Sequence, residues 1–546
     1  MNKKIKNIAF VCIGLIALNF MNQSFYKRFD LTADQRYTIS KTTKTVVNKV
    51  DKSLYITVYL EGDFPSEFKR LQIETRQYLE ELSAVNKNIT ILFKNPDNLR
   101  EKLIKKGMMP SQLTVEEDGK LSEAIIFPWA EVNYGKKTEI VSLLPTAIVA
   151  SQEEQLQKAI ENLEYGFSNA INDVTSKQKK KIAILTGNGE LEDIYQYSFL
   201  SEVAKKYRLA KFTLDSVASN APQTLKDLNN LDLAIITKPT ETFTEKEKFT
   251  LDQFITNGGK TLWMLDNLQA EQDSLANNGK MLAYPKDLNL TDLLFAYGIR
   301  INTTLVKDLY SAQIPVATGV VGNQTQFKNL DWFYHPLVNG NPNHPITKNT
   351  GNVRLQFANQ IDTLKNNLKK TPLLVSSLLT QKVGTPTLIE LQSIANEVVE
   401  NDYKSGSQLF SVLLEGEFNS AYKNRVKPFK TSLFKDKSTA NKMIVIADGD
   451  VGKNQLLKGK PFDLNRDKWT NQTFANKDFL LNAVDYLLDD SGLMTLRNKS
   501  LQIRMLDKQK AFKERGFWQF LNVGLPLILL FAFGFVFNYL RKRKYR

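Results

Sequence analysis

Four short segments place charged residues directly behind apolar, β-branched runs: GNGELED (187–193), KPTETF (238–243), DNLQAEQD (266–273) and DGDVGKN (448–454). Each run has the composition of a strand buried on both faces. In an open parallel sheet, ligands bind outside the carboxyl ends of such strands. Glu190, Glu192, Asp193, Asp266, Asp448 and Asp450 would then crowd one edge together with Lys238. Like charges gathered there could hold a cation, a sugar or a basic partner surface. The same residue types are also ordinary turn formers and helix caps, so both readings stand at this level.

Other chemistry finds little material. His335 and His344 both lie in a Pro- and Asn-rich stretch, each followed by proline, and read as structural loop residues. The single cysteine, Cys12, sits in an apolar run, which excludes an internal disulfide, a Cys-ligated zinc site and an iron–sulfur cluster. No GxSxG elbow occurs. Gly259-Lys260-Thr261 mimics the end of a phosphate loop, but it leads from a helix into a strand and has Phe254 where the first glycine belongs. Gly452-Lys453 follows a strand, yet Ala447 and Asn454 replace the first glycine and the Mg²⁺-binding hydroxyl. Gly187-Asn188-Gly189 lacks the third glycine of a dinucleotide fingerprint. The chain is therefore expected to be no enzyme and to carry no cofactor or metal.

Two α/β blocks must position these residues. In the first, LYITVYL (54–60) reads as a strand, apolar spacing from Phe68 to Val85 as a helix, and ITILF (89–93) as a second strand. A polar helix near 97–106 and a meander from QLTVEE to TEIVSLL follow. This order resembles a small thioredoxin-like domain without its redox CxxC. Residues 151–174 form a long helix, with Ser151 and Glu154 fitting a capping box and Leu156, Ile160, Leu163, Phe167, Ile171 and Val174 on one face. The KQKKK run (177–181) reads as a solvated connector.

The second block alternates strands (182–186, 209–214, 233–237, 261–265) with helices near 194–206 and 244–256. Thr244 and Glu247 fit a capping box, and Gly258-Gly259 stops that helix. The pattern is that of a doubly wound, Rossmann- or flavodoxin-like domain, resuming at MIVIAD (443–448) and KDFLLNAVDYLLDD (477–490). Residues of about 290–440 read as an insertion, in which 311–352, rich in Gly, Asn, Pro and Thr, form a long irregular loop region.

The chain has 546 residues, 42% of them apolar and 24% charged, so a multi-span permease and wholesale disorder are excluded. Lys3, Lys4 and Lys6 hold three of the +15 formal charges and Arg541, Lys542, Arg543, Lys544 and Arg546 hold five, leaving +7 for the body. That is too dilute for a nucleic-acid surface. No charged residue occurs between Lys6 and Lys27, or between Arg515 and Arg541. Each stretch is long enough to span a bilayer as a helix, and each carries its basic cluster on the terminal side. The positive-inside rule puts both termini in the cytoplasm. The expected domains are a signal anchor (1–26), a thioredoxin-like block with its connecting helix (27–180), a Rossmann-like block with its insertion (181–500), and a second span with a basic tail (501–546). The bulk between the spans would lie outside the cytoplasm.

FDLTADQRYTIS (29–40), KIAILTGNGE (181–190), DLAIITKP (232–239), FITNGGKTLWMLD (254–266), Asn343-His344-Pro345-Ile346-Thr347 and LLNAVDYLLDDSGLMTLRNKS (480–500) occur in an order that resembles the ABC-transporter auxiliary family. The likeness extends over essentially the whole chain and is greatest to gliding-motility-associated components, a group sometimes labelled substrate-binding. The resemblance implies a non-ATPase subunit working with a separate multi-span permease and a cytoplasmic ATPase in gliding bacteria. Its amidotransferase-like Rossmann domain would have fold but no nucleophile. The alternative from the residues alone is an extracytoplasmic binding module for a glycan or other envelope ligand, or, less favoured, an envelope hydrolase; the resemblance adds a motility-machinery protein to the candidate partners and implies a bacterial inner membrane, with the bulk of the chain in the periplasm.

Overall fold

The computed structural model describes residues 38–62, 66–117, 120–144, 152–176, 178–322, 324–499 and 508–544. The first apolar segment and the proposed cap at Ser151 lie outside them. The chain forms two units, up to Ser500 and from Leu501 onward.

The first unit is mixed α/β. Ser40 caps the helix Lys41–Val47 by accepting from the Thr43 amide at 3.1 Å. The strands Leu54–Val58 and Ile89–Phe93 run parallel, joined through the helix Ser66–Val85. Trp129–Tyr134 and Lys137–Ser142 extend this sheet antiparallel. Ser111–Glu117 and Lys120–Ile126 pair as a separate hairpin. The helix Gln152–Thr175 buries Leu156, Ile160, Leu163, Phe167, Ile171 and Val174, the apolar face read from the sequence. It packs against the helix Ser66–Val85, the strands Trp129–Tyr134 and Lys137–Ser142, and the 493–498 turn.

The larger sheet has a parallel half, in the order Arg208–Thr213, Lys181–Thr186, Leu233–Thr237, Lys260–Met264 and Lys437–Ile446. Alternate residues serve two cores. Ala183, Ala234 and Trp263 pack beneath Leu251 and Phe254 on one face. Ile182, Ile235 and Leu262 pack beneath Phe199 and Leu480 on the other. Burial on both faces explains the apolar runs 182–185, 233–236, 262–264 and 443–446, whereas the edge strand Arg208–Thr213 is largely exposed. The helix Glu245–Thr256 opens on the expected Thr244–Glu247 capping box, and Gly258 follows it at φ +104°. A side chain at Gly259 would come within 2.3 Å of the Phe254 ring, so only glycine fits there.

Strands from the expected insertion extend the same sheet antiparallel: Leu409–Asn419, Lys369–Val375, Gln324–Gly340 and Ser311–Val321. This corrects the reading of 311–352 as irregular loop: only its end, beyond Gly340, is a run of turns. Ser311–Val321 and Gln324–Gly340 form a long hairpin. Two register shifts break its alternation, and Pro315, which lacks an N–H, is tolerated on an edge strand.

In the second unit, the helix Arg515–Lys544 has 30 residues, with the length and composition to cross a membrane. A π-helical turn at Phe520–Gly524 precedes Pro526, a place where the ladder must accommodate a missing N–H.

Candidate functional site

The parallel strands end on one edge, and that edge gathers four of the seven residues picked from the sequence. Lys238 follows Leu233–Thr237, Asp266 follows Lys260–Met264, and Asp448 and Asp450 follow Lys437–Ile446. Lys238 is only 3% exposed and adopts φ +50°. Its Nζ lies 2.5 Å from Asp450 Oδ2, 2.9 Å from Glu271 Oε1 and 3.4 Å from Asp266 Oδ2. Burial disfavours the ammonium, but the three carboxylates outweigh it and hold Lys238 protonated well above the usual lysine range. Burial also opposes ionisation of Asp450, and Lys238 and Lys453 overcome it, so the acid is held below its usual value.

Asp448 has the opposite fate. Burial, then the charges of Asp266 and Asp450, push its carboxyl far up. It accepts from the amides of Gln356 and Asp450, both at 2.7 Å. Asp266 accepts from the Gly449 amide at 2.6 Å. A Cβ at Gly449 would stand 2.6 Å from Lys238 Cγ and 2.7 Å from Asp266 Oδ2, so the loop must be glycine. The arrangement is a knot in which Lys238, Asp266 and Asp450 are paired and withdrawn from water, with Glu271 and Lys453 on its partly exposed rim.

Glu190, Glu192 and Asp193 do not join it. Glu190 Oε2 accepts from the Asn188 amide at 2.8 Å, with burial raising its pKa. Glu192 precedes the helix Asp193–Lys206, and Asp193 pairs outward with Lys211 at 2.6 Å. The strand order reverses between Lys181–Thr186 and Leu233–Thr237, where doubly wound sheets open a ligand crevice. Here the chain's own loops meet: the amides of Thr240 and Glu241 both donate to the Asn188 carbonyl at 2.9 Å. Glu271 and Lys453 complete the knot and were not singled out in advance, although both sit inside the quoted post-strand segments.

The histidines lie elsewhere. His335 is a buried strand residue rather than a loop residue, with both ring nitrogens unpartnered and an edge-on contact to Phe357 at 5.4 Å. Burial, followed by the nearby Arg354 charge, lowers its pKa to about 3. His344 does sit in a turn, where Nδ1 accepts from the Ile346 amide at 3.3 Å, and burial lowers its pKa to about 4. Among the described residues no group of three or more His, Cys, Asp or Glu is placed to hold a metal.

A second charged centre ties the ends of the first unit together. Glu164, on the helix Gln152–Thr175, accepts from the Ser40 amide and the Thr43 hydroxyl at 2.9 Å through one oxygen. Its other oxygen accepts from Lys499 Nζ at 2.9 Å. Lys499 also donates to the Thr38 carbonyl at 3.5 Å, so the first and last described residues of the unit touch. Burial works to raise the Glu164 pKa, and the Ser40 amide with Lys499 more than offset it.

The chain was compared with known proteins. The model of a family described as an ABC-type uncharacterized transport system matches residues 179–483, which contain the whole knot. The chain belongs to this family. It is thus an auxiliary component of an ABC transport system, a role that implies association with other transporter components. A model for a domain of unknown function matches residues 33–133. An uncharacterized protein of Borreliella burgdorferi is 22% identical over 560 residues, covering 97% of each chain. Among solved structures, the mmIFT52 N-terminal domain aligns over 57% of this chain and 98% of its own, with 14% identity and a TM-score of 0.32.

Proposed function

We propose that this auxiliary component is a non-catalytic subunit held in the membrane at both ends, with its folded body outside the cytoplasm. The observation that carries the reading is the corner at Glu164. Thr38 and Lys499 leave the body side by side, the arrangement a body needs if two neighbouring spans are to hold it. The apolar helix Arg515–Lys544 supplies one span, and the charge-free stretch between Lys6 and Lys27 would supply the other. The basic cluster beside each orients both termini to the cytoplasm. The partners are then a multi-span permease and a cytoplasmic ATPase, which sets the complex in a bacterial inner membrane.

A structural rather than catalytic role is supported by the knot, whose ionic groups are engaged with one another. Burial lowers the two histidines to about 3 and about 4, far below the pKa near neutrality that an effective general base needs at that pH. The thioredoxin-like and Rossmann-like descriptions of the two blocks belong to this proposal and follow from their strand–helix order. So does a role in surface gliding, which rests on the sequence resemblance. Gentle co-purification from native membranes with mass spectrometry tests the assembly. A permease and an ATPase in fixed ratio are expected, and recovery of the chain alone would overturn the reading. Gliding by a deletion strain at the wild-type rate would remove that part and leave the rest.

A further inference from the structure

A groove of about 200 Å³ lies between the strand Gln324–Gly340 and the two short turns Leu391–Ala395 and Glu400–Asp402. Lys307, on the strand Ile299–Asp308, lines it as well. The volume is below the roughly 300–1,000 Å³ of sites for drug-sized molecules, so a fitting occupant is small. No residue of the charge knot or of the exit corner at Glu164 lines it.

Its buried side consists of donors without acceptors. Tyr334 and Tyr403 are 5% and 6% exposed, and neither hydroxyl has a hydrogen-bond partner among the described residues. Burial, then the neighbouring Tyr403, raises Tyr334 to about 12, so its phenol is a donor at neutral pH. Lys307 Nζ stands 4.9 Å from the centre of the Tyr334 ring and has no ion-pair partner among the described residues. Burial lowers the Lys307 pKa, and Asp402 acts against it without pairing. The open side carries acids. Asp331, Glu397 and Asp402 are exposed, and none of their carboxylates is engaged by another described residue. One lysine against three carboxylates gives the lining a net charge of −2.

We infer that this groove binds a free amino acid with a cationic side chain, its carboxylate on Lys307, Tyr334 and Tyr403 and its two ammonium groups on the acidic rim. Bonds between ionised partners are the strong ones, and this ligand supplies the opposite charge at each side of the groove. Each simpler ligand leaves part of the lining unanswered. An anion alone would meet a net negative charge. An amine without a carboxylate leaves the buried donors without acceptors, which is costly. A neutral amino acid satisfies those donors and leaves most of the acidic rim unpaired. The inference depends on neither the tethers nor the transporter assembly.

The test is isothermal titration of the full chain in detergent with three probes. They are L-lysine, cadaverine, which lacks the carboxylate, and L-norleucine, which lacks the side-chain ammonium. L-lysine is expected to saturate with a Kd below about 1 mM. Each analogue should bind about tenfold or more weakly, the loss of one charge-assisted contact. Lys307→Gln and Tyr403→Phe should each weaken L-lysine by about tenfold while melting, without ligand, as the wild type does. The melting control separates a lost contact from a damaged fold, and either variant alone suffices. No saturable heat from L-lysine at about 10 mM would overturn the proposal. So would cadaverine or L-norleucine binding as tightly as L-lysine, or unchanged affinity in both variants.

Discussion

Replacing Lys238 by methionine isolates the central charge of the knot. The side chain keeps its length, so the loss is electrostatic. Three carboxylates lose their common cation, at 2.5, 2.9 and 3.4 Å. They do not lose equally. Glu271 keeps about a quarter of its side-chain exposure and can turn to water, whereas Asp266 and Asp450 keep 9% and 7%. Asp450 then has only Lys453, 3.6 Å away. Stranding buried charge in this way costs about 3–5 kcal/mol. Amide exchange of 233–237, 260–264 and 443–446 in the full chain reads that loss locally. At about 1.4 kcal/mol per decade, exchange should accelerate by roughly a hundred- to several-thousand-fold. The decisive comparison is Lys238→Met/Asp450→Asn, which removes the stranded charge along with its cation. It should recover about 2 kcal/mol of the single variant's loss, because the two sites are coupled. A Lys238→Met loss under about 1 kcal/mol, or a double variant worse than the single, would refute the account of the knot as a mutually neutralised unit.

Three further outcomes follow from the two buried groups away from the knot and from the exit corner. Glu164→Gln should loosen 38–47 by about 1–3 kcal/mol in local exchange. In the wild type the folded-state pKa of Glu164 lies below its unfolded value. The stabilisation is therefore present above about pH 4.3 and is lost as pH falls through the folded value, and Glu164→Gln should flatten that acid limb. His335, lowered to about 3, binds its proton more readily when unfolded. Stability should thus be full above about pH 6.5 and decline as pH falls toward 3, while His335→Leu should remove that slope and match or exceed wild-type stability near neutrality. With Cys12 replaced by serine, Thr38→Cys/Lys499→Cys should cross-link within the monomer through a short bis-maleimide. Its failure on a folded chain would refute the meeting of the two ends.

What could be read from the sequence was what is local or periodic. The Thr244–Glu247 box spans three residues, and strands buried on both faces announce themselves by composition. The hairpin from Ser311 to Gly340 was missed because its register shifts and Pro315 erase the alternation that marks a strand, while its glycines imitate loop. The site was half legible. The strand-end rule brought together Lys238, Asp266, Asp448 and Asp450, but it carries no information on which way a loop turns. Glu190, Glu192 and Asp193 obey the rule and face elsewhere. Glu164 had no local signal, since its partners lie 124 and 335 residues away.

If the tethers of the proposed function carry load, the two charged centres would bear it differently. The Asp448–Asp450 loop ties the ends of three parallel strands to one another and to the segment at Gln356: Asp448 takes the Gln356 amide, Asp266 takes the Gly449 amide, and Asp450 takes Lys238. Such a loop resists shear among the parallel strands whose ends it joins, because any slip exposes or unpairs a buried charge. Glu164 instead joins elements at the periphery, binding the segments at Ser40 and Lys499 to one helix. A displacement applied at either end must break bonds to Glu164 or carry the helix Gln152–Thr175 with it. That helix packs along the first block's sheet and against the 493–498 turn, so the second course moves one block relative to the other while the knot keeps the larger sheet rigid. The load then passes through Glu164, and exchange at 38–47 in Glu164→Gln, with the knot's strands unaffected, is where the separation of the two centres would be seen.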